Sequence, residues 1–268
     1  LTLDSKSATQ EVSYSVAGMG DTTLSIDAPA GFSFPTGRST STIRIKPDRM
    51  WLGQSPIAVR DALTYNTVQV SGSSGAVEIT VSSDDPSRLM VGKSGVEPGS
   101  SVTLTIGTQL QLYGLAGSGT ATLRLSAQNV EPLEVSVALY QPQVTLSIYG
   151  TPPLQLKLPS AALQIGVALY TEATGSNLTL RPGAAPVRIR VSSSNPEVAT
   201  VTPSEVIIQP GQSSGPLKVI PLAPGTAEIG IDPPAEYRPL LSSVRVEVGR
   251  QKLILTQAVL GKNQQAGV

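Results

Sequence analysis

Residues 187–213 read VRIRVSSSNPEVATVTPSEVIIQPGQS. Val187, Ile189 and Val191 alternate with Arg188 and Arg190, so one face is apolar and the other charged. That is the two-residue period of a half-buried strand. Asn195-Pro196 stops the run, because the residue before proline is restricted and proline donates nothing to a ladder. A second alternating run follows and closes at Pro210-Gly211. Whether these strands make one hairpin or belong to a reused unit decides the architecture.

The stretch has a counterpart 110 residues upstream, where Val77-Glu78-Ile79-Thr80-Val81-Ser82-Ser83-Asp84-Asp85-Pro86 lines up with Val187 to Pro196. A second landmark recurs at Gly20-Asp21-Thr22-Thr23-Leu24-Ser25-Ile26, Gly119-Thr120-Ala121-Thr122-Leu123-Arg124-Leu125 and Gly225-Thr226-Ala227-Glu228-Ile229-Gly230-Ile231. The first and third copies run on alike to Phe32 and Tyr237. Each copy is followed by a further alternating strand, at Ile43–Ile45, Val135–Leu139 and Val244–Val248. A repeat near 100 residues, made of short strands punctuated by turns, has the size and rhythm of an immunoglobulin-like sandwich. The expected fold is therefore all-β: tandem immunoglobulin-like β-sandwiches, beginning with a partial module. Leu123, Leu125, Ile189, Val191, Ile229, Ile231, Val246 and Val248 are expected to line the cores.

The phase of the repeats predicts four segments. Residues 1–46 hold the C-terminal half of a preceding module, and residues 47–140 and 141–249 each hold a complete sandwich. Residues 250–268 supply the first strand of a following module or a tail, because Leu253-Ile254-Leu255 follows the last strand as Val144-Thr145-Leu146 follows Leu139. On this reading the sequence starts inside one repeat and stops inside another.

The runs VSSDDPSRLMV…GLAGSGTATLRL and VSSSNPEVATVTPSEVIIQPGQSSGPLKVIPLAPGTAEIGI resemble bacterial Ig-like (Big-type) repeats. Arg88-Leu89-Met90 departs from that pattern, where the second copy has the more typical Val198-Ala199-Thr200. Such repeats occur in tandem in large secreted or surface proteins of bacteria, including adhesins of the invasin and intimin type. The resemblance implies an extracellular or cell-surface spacer that projects or links binding domains, its neighbours being further modules of the same chain. The alternatives are a module that itself recognises a protein or glycan, or an accessory domain of an extracellular enzyme.

Composition narrows the chemistry. Lys+Arg and Asp+Glu both number 19, so no basic field exists to hold a phosphate backbone, which argues against nucleic acid. No apolar run reaches the roughly 18 to 20 residues of a membrane-spanning helix. Cysteine and histidine are absent, which removes disulfides, thiol nucleophiles, Ser-His-Asp triads and the commonest zinc ligand. Carboxylate pairs are what remain for catalysis, and Asp48, Asp61, Glu78, Asp84, Asp85, Glu97, Glu131 and Glu134 are scattered along the chain. No catalytic, cofactor-binding or metal residue is assigned. Calcium, which needs six to eight oxygens, finds few acids in IKPDRMW, ALYQPQVTL and VEVGRQKLIL, and Asp84-Asp85 reads as a turn that caps its own backbone. Stiff joints are expected from Pro47, Pro142 and direct contact between modules.

Aromatic platforms for sugars are sparse. Trp51 reads as packing at a joint or in the core, and Tyr65, Tyr113, Tyr140, Tyr149 and Tyr170 as half-buried strand residues. Asn177-Leu178-Thr179 fits a glycosylation sequon that a bacterial source would leave silent. Gly117-Ser118-Gly119-Thr120 lacks the lysine and helix of a phosphate loop and reads as a turn. The best candidate for direct recognition is the non-repeating stretch Gln54–Val70.

Overall fold

The computed structural model describes residues 13, 15 and 18–250, except positions 29, 32, 35, 37, 38, 73–76 and 160. Phe32 and the strand expected at Leu253–Leu255 lie outside these residues. Among the described residues every regular helix or strand element is a β-strand.

The chain opens with a hairpin of β1 (Gly20–Ser25) and β2 (Thr40–Ile45). A first sandwich follows. Its strands are β3 (Met50–Leu52), β4 (Ile57–Val59), β5 (Ala62–Val70), β6 (Glu78–Ser83), β7 (Leu89–Gly92), β8 (Ser101–Thr105), β9 (Gln109–Gly114), β10 (Thr120–Ala127) and β11 (Leu133–Tyr140). The second sandwich runs through β12 (Gln143–Ser147), β13 (Leu154–Leu158), β14 (Leu163–Thr171), β15 (Ser176–Asn177), β16 (Thr179–Leu180), β17 (Val187–Ser193), β18 (Ala199–Thr202), β19 (Glu205–Ile208), β20 (Ser214–Pro221), β21 (Gly225–Asp232), β22 (Arg238–Leu241) and β23 (Ser243–Arg250).

The two sandwiches share one topology. One sheet of the first has the order β4-β11-β10-β6-β8, and one sheet of the second has β13-β23-β21-β17-β19. The facing sheets match as well, with β3, β5, β9 and β7 answering β12, β14, β20 and β18. In each, the first strand is split. Its beginning pairs antiparallel in one sheet (β3 on β5, β12 on β14), and its continuation crosses over to pair parallel with the last strand (β4 on β11, β13 on β23). Splitting the first strand lets it close both sheets, leaving less open edge. These are immunoglobulin-like β-sandwiches in tandem.

Alternation builds each core. On β10 the inward residues Ala121, Leu123 and Leu125 are buried, as are Ala227, Ile229 and Ile231 on β21. Ile189 and Val191, and Val246 and Val248, are buried as the period-two pattern predicts. Fully burying one such side chain contributes about 1.5–3 kcal/mol. The β1–β2 hairpin repeats the β21–β23 pairing: Gly20 stands opposite Ile45 as Gly225 stands opposite Val248. Leu24 and Ile26, the equivalents of buried Leu123 and Leu125, are exposed.

The sequence landmarks become matched contacts. Asp84 and Ser194 sit at the end of β6 and β17. Asp84 Oδ1 accepts a hydrogen bond from the Thr122 amide at 2.7 Å, and Ser194 Oγ accepts one from the Glu228 amide at 2.8 Å. The Asp84 carboxylate thus tethers a neighbouring strand, and it is Asp85 that caps its own turn by accepting from the Ser87 amide. The departure at Arg88 also has a reason. In the second copy Val198 packs beneath Gly225, where a Cβ would collide with it. In the first, Arg88 reaches across to donate to the carbonyls of Ser118 and Thr120, holding the Gly117–Thr120 turn in place.

Candidate functional site: the joint between the sandwiches

Only Gln141 and Pro142 separate β11 from β12. The first sandwich meets the second through the turn between β4 and β5, whose tip is Arg60-Asp61. Asp61 adopts φ 58°, a left-handed conformation that a short polar side chain tolerates. Its amide donates to the Gly114 carbonyl and the Arg60 amide to the Tyr140 carbonyl, so the tip is fixed to its own sandwich. Gly114 is required there, because a Cβ would overlap the Val59 carbonyl.

The second sandwich grips this tip with its backbone. The Arg181 amide donates to the Asp61 carbonyl at 2.9 Å. β16 pairs antiparallel with β5, Thr179 opposite Leu63 and Leu180 opposite Ala62. The same short strand is held to its own unit by the Leu180 amide on Gln212 and the Gly211 amide on Leu180. Farther along, Gln141 Nε2 donates to the Glu236 carbonyl and the Arg238 amide to the Pro142 carbonyl.

Beneath these hydrogen bonds two side chains of the first sandwich enter the core of the second. Val59 and Ala62 are buried in the apolar cluster of the second sandwich, with Leu178, Leu180, Ala184 and Tyr237. The Arg181 guanidinium lies 3.5 Å from Asp61 Oδ1, and Arg60 lies 3.4 Å from Asp61 Oδ2. Both Arg181 and Asp61 are mostly buried, so this pair is screened less than a surface one. Burial, followed by the Asp61 charge, pushes the Tyr237 phenol up to about 12. The expected direct contact between modules is present and is built from Val59, Asp61, Ala62, Arg181 and Tyr237. In the sequence Asp61 is one of several scattered acids and its partner is not legible, because a contact across 120 residues leaves no local period. The one available signal was that Asp61 lies within Gln54–Val70, the stretch that does not repeat.

Among the described residues no group of three or more Asp and Glu side chains converges as a metal site. Asp48 is half-buried beside Ser71, and Glu131 and Glu134 are surface residues that pair with Arg49 and Arg124. Trp51 is in neither core. It is 44% exposed, because Met50 and Leu52 on either side take the inward positions of β3. Apolar neighbours on both sides were the signal in the sequence. Tyr65 and Tyr140 are exposed, Tyr113 is buried, and Tyr149 is 85% exposed in the loop after β12, outside any strand. Asn177 is exposed on β15.

No family model matches the chain, and no curated protein matches it. Among solved structures, domains 4 and 5 of the S-layer protein SbsC are 20% identical and align over 68% of this chain and 82% of that one, with a TM-score of 0.34. The D00-D0 domain of intimin is 10% identical over 75% of this chain and 96% of that one, at a TM-score of 0.29. Invasin, described as a bacterial integrin-binding protein, is 13% identical over 75% of this chain and 39% of its own length, at 0.31.

Proposed function

We propose that the chain is a non-catalytic structural array that acts as a stiff spacer in a secreted or cell-surface bacterial protein, holding binding domains apart. Residues 47–140 and 141–249 are its two complete units, and each spans about 40 Å. The observation that supports this reading is the joint. Two independent binding domains on a flexible tether need no shared core, whereas here Val59 and Ala62 pack inside the second sandwich and β16 extends a sheet of the first. Bending the joint would expose these side chains and break the Arg181–Asp61 backbone bond, at a cost of several kcal/mol.

Small-angle scattering tests it. The intact chain should give the pair-distance distribution of one rigid, end-to-end body. Ala62→Glu, which forces a carboxylate into the joint, should broaden that distribution while both sandwiches stay folded. A variant profile identical to the wild type would contradict the proposal.

A further inference from the structure

The two sandwiches have corresponding inward faces but differ on one outer face. Met50 pairs with Val70 as Val144 pairs with Leu169, and Val91 pairs with Leu112 as Val201 pairs with Val219. These registers place Trp51, Tyr65, Thr67, Gln69, Gln109 and Gln111 on the outer face of β3, β5 and β9. The corresponding positions of the second sandwich hold Thr145, Gln164, Gly166, Ala168, Pro216 and Lys218. Large flat rings and amides on the first sandwich thus stand where the second has mostly small residues. A spacer requires no such difference.

On this face lies a shallow groove of about 280 Å³, lined by Gly53, Gln54, Tyr65, Asn66, Thr67, Gln69 and Gln109, none of them charged. Trp51 stands beside it, directly across from Gln69. Part of the groove is held rigid: Gln54 Nε2 donates to the Tyr65 carbonyl, Asn66 Nδ2 to the Gln54 carbonyl, and the Thr67 amide to Asn66 Oδ1. The Gln69 and Gln109 side chains are exposed and have no partner among the described residues. Each offers a donor and an acceptor together.

We infer that this face binds a neutral, hexopyranose-based glycan. Sugar rings present apolar C–H faces and hydroxyls that both donate and accept, which aromatic rings and free carboxamides match. An uncharged lining gives an ionic ligand no compensation for lost hydration. An extended peptide would add to a sheet edge through its backbone. The edge of β5 beside the groove is already occupied, the Gly53 amide and Gln54 Nε2 taking the Thr67 and Tyr65 carbonyls. Trp51 and Tyr65 are separated by four strand positions, about 13 Å. That separation suits an oligosaccharide lying along the strand better than a single ring.

Trp51 is the only tryptophan, so its fluorescence reads this face directly. Titration of the whole chain with neutral hexose oligosaccharides of differing linkage should give a saturable shift in emission for at least one of them. Tyr65→Ala should weaken that affinity about tenfold, and Gln69→Ala and Gln109→Ala should weaken it as well, whereas Lys218→Ala on the equivalent face should not. Trp51→Ala, followed by calorimetry, should abolish binding while the chain still melts cooperatively with only a small shift, because the ring is outside both cores. No response to any oligosaccharide, unchanged affinity in Tyr65→Ala, or binding of unstructured peptides alone would overturn the inference. None of these results depends on the stiffness of the joint.

Discussion

Ile229 is fully buried on β21, between the two sheets of the second sandwich. Truncation to Ala should cost about 2–5 kcal/mol in a denaturant melt, because the surrounding strands cannot close over the lost volume. A near-neutral result would mean the inward face is misassigned. Asp84 makes a subtler prediction. The hydrogen bond from the Thr122 amide holds its carboxylate below the usual range. A carboxylate with a depressed pKa stabilises the fold above its unfolded pKa, near 3.9, and loses that contribution as pH falls through the folded value. Ser194 makes the equivalent bond without titrating. Hydrogen exchange should therefore show the Thr122 amide losing protection below about pH 4 while the Glu228 amide keeps it, and Asp84→Ser should abolish the difference. Equal acid sensitivity at both amides would contradict the equivalence of the two turns. Side chains facing inward were legible in the sequence, because alternation alone assigns them. The outward Trp51 was not: ring size argued for burial, and the parity set by Met50 and Leu52 decided otherwise.

At the scale of elements, the strand pairs at Gly119 and Gly225 could be read from the repeat, and so could the turns at Asp84-Asp85-Pro86 and Asn195-Pro196. The splitting of the first strand into β3 and β4, and into β12 and β13, could not. Each piece is short, and the second of each pair, β4 or β13, finds its partner in the last strand of the same sandwich, far along the chain. The two-residue strand β16 was equally invisible, since its pairing with β5 exists only once two sandwiches are in contact. Tyr237 reports on that contact. Its phenol is raised to about 12, so the joint is stable with the neutral form. A raised folded pKa contributes stability below the unfolded value near 10 and loses it as pH climbs toward 12. Alkaline titration followed by circular dichroism should show a loss of stability over that range that Tyr237→Phe removes. If the phenylalanine variant loses stability identically, the phenol is not buried at the joint.

At the scale of the molecule, one sandwich topology is used in succession, and the core of the second sandwich takes in two side chains of the first. The repeat made the copies legible, and the short Gln141-Pro142 connection made close contact predictable. The grip of Arg181 on the Asp61 carbonyl and the burial of Val59 and Ala62 depend on how two surfaces meet, which no single strand's pattern encodes. The chain contains no cysteine, so spin labels can be placed at will. Labels at Ser126→Cys on the first sandwich and Lys218→Cys on the second, both exposed strand positions, report the distance across the joint by double electron–electron resonance. A single narrow distance distribution, broadened when Ala62→Glu is added, is the predicted result. A broad or multiply peaked distribution in the otherwise unaltered chain would contradict the stiff joint on which the spacer reading rests.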